Sequence, residues 1–221
     1  MRITIPLVAP DKNAGRLRVA VVPRLVPALG FGLAVAGAGI SAFGLKNVLL
    51  AMKYPESTGL AVVARSMAEA NLPVLVGLYL SIVVGGAGLL ILIIRMFVGT
   101  TKSSPGVWFI LLAGALGLVP AAGFWWAEGL FIGALYPGSG GIVTVSETLT
   151  LALPAIMIAA AFILLLLLAL SVWPVRSLGK PKWGPLAVML IVEVALIVMA
   201  VAFQMRTSWL FNVAIAERLL P

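Results

Sequence analysis

Very few side chains in this chain could carry acid–base, nucleophilic or metal chemistry. Its 221 residues include no Cys and no His, and the acids are Asp11, Glu56, Glu69, Glu128, Glu147, Glu193 and Glu217. Without Cys or His there is no haem ligated through either, no Cys-held iron–sulfur cluster, no usual zinc site and no thiol catalysis. A Ser-His-Asp triad and an imidazole proton shuttle are excluded with them. No cofactor and no resident metal are expected. The lack of Cys says nothing about compartment, because no disulfide could be present or absent.

What the carboxylates can do depends on where they sit. Glu128 interrupts the apolar stretch 105–136, and Glu193 lies at the middle of the stretch 185–205. A charge at the bilayer centre costs roughly 2.5–3.5 kcal/mol on insertion scales, so such a carboxyl is paired, protonated or functional. Neither has a basic residue three or four positions away. One reading makes them proton or cation carriers. The other, favoured here, makes them inter-helix hydrogen bonds within a bundle or against another subunit, with Glu193 reaching Glu128 or a partner chain. Glu69 and Glu147 each precede a long apolar run, where a carboxylate suits the positive end of a helix and Ser66 and Ser146 supply hydroxyls nearby.

The elements that must position these residues follow from composition. Hydrophobic residues make up 62% of the chain and charged residues 10%, against about 25% charged in a soluble globule. Mean hydropathy is +1.19. An ordinary soluble enzyme, a nucleic-acid-binding domain and a disordered regulator are excluded on that ground. The net charge of +8 is spread along loops and makes no nucleic-acid patch. A crossing helix needs about 20 apolar residues, and five stretches qualify, at about 25–50, 70–95, 105–136, 148–175 and 185–205. The expected architecture is an all-α, polytopic bundle of five spans behind a basic tail, 1–24, that does not read as a signal peptide. Segment 53–69 reads as a turn and a short amphipathic stretch with Leu60, Val63 and Met67 on one face, and Pro73, Pro120 and Pro154 should kink their spans.

Orientation comes from the basic residues. Arg2, Lys12, Arg16, Arg18, Arg24, Arg95, Lys102, Arg176, Lys180 and Lys182 fall on one side; Lys46, Lys53, Arg65, Arg206 and Arg218 fall on the other. The excess places the N-terminus inside and the C-terminus outside, in a membrane of the bacterial inner type. Trp108, Trp173, Trp183 and Trp209 stand at span ends, as an aromatic belt requires. Small residues mark the expected close helix contacts: Gly37 and Gly39 in the first span, Gly85 in the second, and Gly129-x-x-x-Gly133 in the third.

Two family resemblances attach to particular segments. Pro120-Ala-Ala-Gly-Phe-Trp-Trp-Ala-Glu-Gly129 resembles the Pro-x-x-Gly pore helix of the flagellar-stator MotA and TolQ/ExbB proton-channel family. Pro73 through Arg95 is similar to that family's first helix, and Glu147 through Pro154-Ala155 to its last. The resemblance implies proton conduction, but the family carries a sizeable cytoplasmic region where this chain has only 96–104. A Gly/Ala-rich run from Gly30 to Gly44, then Tyr54-Pro55-Glu56 and Met67-Ala-Glu69-Ala70, is similar to the proteolipid c subunit of rotary ATPases. That resemblance implies Glu69 as ion carrier, with Glu147 as a second. The charge rule puts the Pro-Glu turn on the opposite side from the family's, and Phe124-Trp125-Trp126 is bulky for a tight inner ring.

The residues together point to a non-enzymatic subunit of a larger membrane complex, held by helix–helix contacts with other subunits in the lipid bilayer. The alternative is an ion-translocating subunit coupled to the ion-motive force, with Glu128 and Glu193 as the main carriers. A small solute carrier ranks third, since inverted repeats and broken helix pairs would be expected of it.

Overall fold

The computed structural model describes residues 12–52, 59–97, 106–135, 142–172 and 183–219. They form α1 (Lys12–Ala51), α2 (Leu60–Phe97), α3 (Gly106–Leu135), α4 (Ile142–Val172) and α5 (Trp183–Leu219), with no strand among the described residues. Each helix holds a stretch long and apolar enough to cross a membrane: Ala28–Ala51, Leu60–Leu90, Leu112–Ala134, Val145–Ala169 and Ala187–Ala216. The expected turn at 53–58, the linkers 98–105 and 173–182, the loop 136–141 and the tail residues 1–11 lie outside the described residues.

Helix ends differ from the hydropathy reading where a charge bounds an apolar stretch. The helix α1 begins at Lys12, inside the expected tail. The helix α2 begins at Leu60 rather than near residue 70, and the Gly59 carbonyl accepts the N–H groups of Val62 and Val63 to start it. The first turns of α2 bury Val63 and Met67, whereas Leu60 is exposed. Glu69 and Glu147 therefore do not begin helices; they lie inside α2 and α4. The largest correction is at α5, which continues past residue 205 to Leu219 and takes Arg206 into the helix. A charge ends a hydropathy window, but it does not end a helix when a second helix neutralises it.

The helix α1 packs against α2, α4 and α3, while α5 closes the bundle against α2 and α3, and α3 also lies on α4. Two glycine rows on α1 explain why it is the most buried span. Gly30, Gly37 and Gly44 recur every seventh residue toward α2. A Cβ at Gly37 would strike the Pro73 carbonyl, one at Gly30 the Val84 side chain, and one at Gly44 would lie 3.0 Å from Ala70 Cβ. Gly32 and Gly39 form the second row, toward α4, where a Cβ at Gly39 would lie 3.3 Å from Ala160 Cβ. Backbones thus approach at van der Waals range without a bulky layer between them. Pro73, Pro120 and Pro154 all sit within continuous helices. Beside Pro73, the Val74 N–H donates to Ser41 Oγ of α1 at 3.1 Å, so the neighbouring helix satisfies a donor next to the proline.

The Gly129-x-x-x-Gly133 pair is corrected by the same test. A Cβ at Gly133 would meet nothing within 4 Å, and one at Gly129 would meet only the Arg206 guanidinium, at 3.7 Å. Small-residue spacing marks a close contact only when that face turns inward, and this face of α3 does not.

Candidate functional site

Buried polar side chains among the described residues are Ser41, Asn71, Ser81, Glu128, Glu193 and Thr207. Ser41 and Ser81 bond across the α1–α2 contact, whereas Asn71 and Glu128 meet where α2, α3 and α5 come together. On α3, Ala121, Phe124, Ala127, Glu128 and Phe131 are buried at helical spacing, so the acid shares the inward face with the aromatics. On α5, Leu196, Ala200, Phe203, Thr207 and Leu210 form the inward stripe, with Arg206 at its edge.

Glu128 is engaged through both carboxyl oxygens. Asn71 Nδ2 donates to Oε1 at 2.6 Å, and Arg206 Nη1 donates to Oε2 at 3.1 Å. The same Nη1 donates to the Trp125 carbonyl at 3.0 Å, and the guanidinium carbon stands 3.2 Å from the Trp125 ring centroid. That ring meets Phe203 edge-on at 5.0 Å, and Phe203 stacks on Phe124 at 5.9 Å. The cation is therefore held between a carboxylate and an aromatic platform. Removing one member of a buried pair typically costs about 3–5 kcal/mol, because the other charge is left uncompensated. Chemically, this arrangement clamps three helices, with both carboxylate oxygens committed to it.

Sequence reasoning missed this partnership because it sought a base within one helical turn, whereas Glu128 and Arg206 are 78 residues apart. It also missed Asn71, although an amide in the run Ala70-Asn71-Leu72 was a usable signal. Asn71 Oδ1 and Thr207 Oγ1 are buried with no hydrogen-bond partner among the described residues.

Glu193 occupies a different place, about 20 Å along α5 from Arg206 at 1.5 Å per residue. Its carboxyl rests on Gly85 and Gly86 of α2. A Cβ at Gly85 would strike Oε2 and lie 3.3 Å from Phe31 Cζ of α1, so the glycine makes the room that the acid fills. Glu193 is 7% exposed, and its Oε1 is buried without a hydrogen-bond partner among the described residues. The expected bond between Glu193 and Glu128 is not formed. Leu196, Ala200 and Phe203 occupy the buried face of α5 between the two levels.

The other two candidates are on the outside. Glu69 is exposed and paired with Arg65 at 2.8 Å. It borders an open groove of about 440 Å³ between α1 and α2 that also takes in Asn47, Ser66 and Pro73. Glu147 is exposed on α4. Neither joins the Glu128 cluster, and the described residues contain no group of three or more acids, His or Cys able to hold a metal ion. Compared with protein-family models, curated proteins and solved structures, the chain matches none.

Proposed function

We propose that this chain is a non-enzymatic membrane subunit that docks another protein through the protruding ends of α2 and α5. Arg65 and Glu69 are an exposed ion pair with side chains about half accessible, and an exposed pair of charges belongs at the membrane–water boundary rather than in hydrocarbon. Asn71 is only two residues on, about 3 Å along the axis, so the Asn71–Glu128–Arg206 cluster lies just beneath that boundary. Beyond it, α2 continues back to Leu60 and α5 runs on to Leu219.

The observation that carries the proposal is what those ends expose. Leu60 and Val62 of α2 are 43% and 46% exposed, and Ile215 of α5 is 56% exposed. The apolar stretches that begin at Leu60 and end at Ala216 run to 31 and 30 residues, longer than the about 20 a crossing needs. We read the exposed apolar side chains on the excess past the charged boundary as a protein contact. The clamp beneath them supports the reading by holding α2, α3 and α5 in a fixed relation. The excess of basic residues supports a cytoplasmic N-terminus and a plasma-type membrane, with the protruding ends outside. Purification in mild detergent should yield a second membrane protein at a fixed molar ratio. Changing Val62 and Ile215 to Ser should remove it while the monomer's helicity and unfolding temperature stay unchanged. Retention of that protein by the doubly substituted chain would reject the docking surface.

A second reading, proton or cation transfer, is favoured by one feature: a Glu193 oxygen in the middle of a span with no partner among the described residues. An unpaired buried carboxyl is a functional candidate by default. The test is proton flux in vesicles holding the purified chain. Glu193→Gln, nearly isosteric and unable to release a proton, should abolish flux while leaving the fold intact; unchanged flux, or none in the unaltered protein, rejects this reading.

A further inference from the structure

The geometry points to a seat for the phosphate of a membrane phospholipid in the groove between α3 and α5. The groove is open, holds about 320 Å³, and is lined by Gly129, Ile132, Arg206 and Trp209, a volume at the lower end of ligand sites. This proposal borrows from the preceding section only the boundary level, not the docking partner.

Arg206 is the recognising group. Its Nη1 is committed to Glu128 and to the Trp125 carbonyl, but the planar guanidinium carries five N–H donors in a fork that suits phosphate oxygens. The side chain is 19% exposed, and the reason is position 129. A Cβ there would stand 3.7 Å from Nη2 and 3.9 Å from Nη1, so glycine leaves the guanidinium uncovered where any larger side chain would close it off. The pair with Glu128 and the seat on Trp125 hold the fork still, which removes the ordering cost a flexible surface arginine would meet.

The other walls fit a lipid rather than a free anion. Trp209, one turn further along α5, is 42% exposed, and an indole at this level places its ring among glycerol backbones and its N–H toward headgroup oxygens. Ile132 offers an apolar wall for the first methylenes of a chain. An anion alone would use Arg206 and leave Trp209 and Ile132 unsatisfied; a phosphodiester with its acyl stem uses all of them.

The test uses the full chain, delipidated in an uncharged detergent, titrated with a short-chain phosphatidylglycerol, with the matching diacylglycerol and with inorganic phosphate. Phosphatidylglycerol should raise the unfolding temperature saturably, and the other two should not at the same concentration. Gly129→Leu, which fills the groove against the open side of the Arg206 guanidinium and replaces neither Arg206 nor Glu128, should weaken the apparent affinity at least about tenfold; Trp209→Ala should weaken it less. If Gly129→Leu does not fold, Ile132→Trp fills the groove from the opposite wall and should have the same effect. Equal shifts from diacylglycerol or from inorganic phosphate overturn the assignment, as does undiminished binding with the groove filled. Loss of the docking partner in the Val62 and Ile215 variant leaves these titrations unaffected, so the two ideas fail separately.

Discussion

At the scale of single residues, both Glu128 oxygens have partners among the described residues, whereas Glu193 Oε1 has none. Asn71 and Arg206 between them take both Glu128 oxygens. Arg206→Leu should therefore be among the most damaging substitutions in the chain, at about 3–5 kcal/mol, because it leaves a carboxylate buried without its cation. Glu128→Gln should be far milder. The amide oxygen still accepts from Arg206, and once the Asn71 amide turns over, the amide N–H₂ donates to its Oδ1, which has no partner among the described residues. Replacing Glu128 and Arg206 together by Leu should recover much of what Arg206→Leu loses. Unfolding in mixed detergent micelles measures all three; a double variant no more stable than Arg206→Leu alone would mean that the pair is not the clamp described here.

At the scale of elements, stability rests on how closely α1 approaches its neighbours. A side chain at Gly37 would enter the Pro73 carbonyl, whereas one at Gly133 would enter open space. Gly37→Leu should separate α1 from α2 and cost at least the 1–3 kcal/mol usual for overpacking a core, with loss of monodispersity in detergent. Gly133→Leu should be silent in the same assays. Equal damage at both positions would show that the α1–α2 contact is not backbone-to-backbone. The same comparison explains how much of the packing was legible beforehand. Glycines are visible in the sequence, but the face each one occupies is not. Gly37 and Gly39, two residues apart, serve different neighbours, and Gly129 borders a groove instead of a helix.

At the scale of the whole molecule, five helices that are each long and apolar enough to cross a membrane predict, if each crosses once, that successive connections alternate between its two sides. Cysteines introduced at Ser177 and Ser139 should therefore label from opposite faces of the membrane, with Ser177 on the side of the N-terminus. The natural chain has no Cys to confuse the result. Labelling of both from one side would reject the five-span arrangement. Labelling of Ser177 from outside would keep the arrangement and invert it, which also moves the exposed ends of α2 and α5 to the cytoplasmic face.

By itself the sequence determined that the chain is helical and apolar enough to cross a membrane five times, and which chemistries it lacks. Both are properties of composition and of run length along the chain, and 1.5 Å per residue converts them directly into spans. It also singled out Glu128 and Glu193 correctly as buried acids, since a carboxyl in an apolar run has few other places to go. Tertiary structure decided what each acid does. Whether a buried charge is paired depends on which helix lies alongside and at what rotation, and neither is written in local spacing. Arg206 was read as a loop residue for the same reason: its charge looks like a boundary until α3 brings Glu128 and Trp125 to it. The ends of α2 and α5 were misjudged with it, because hydropathy measures preference for lipid, while a helix continues for as long as its backbone bonds and its side-chain partners are satisfied.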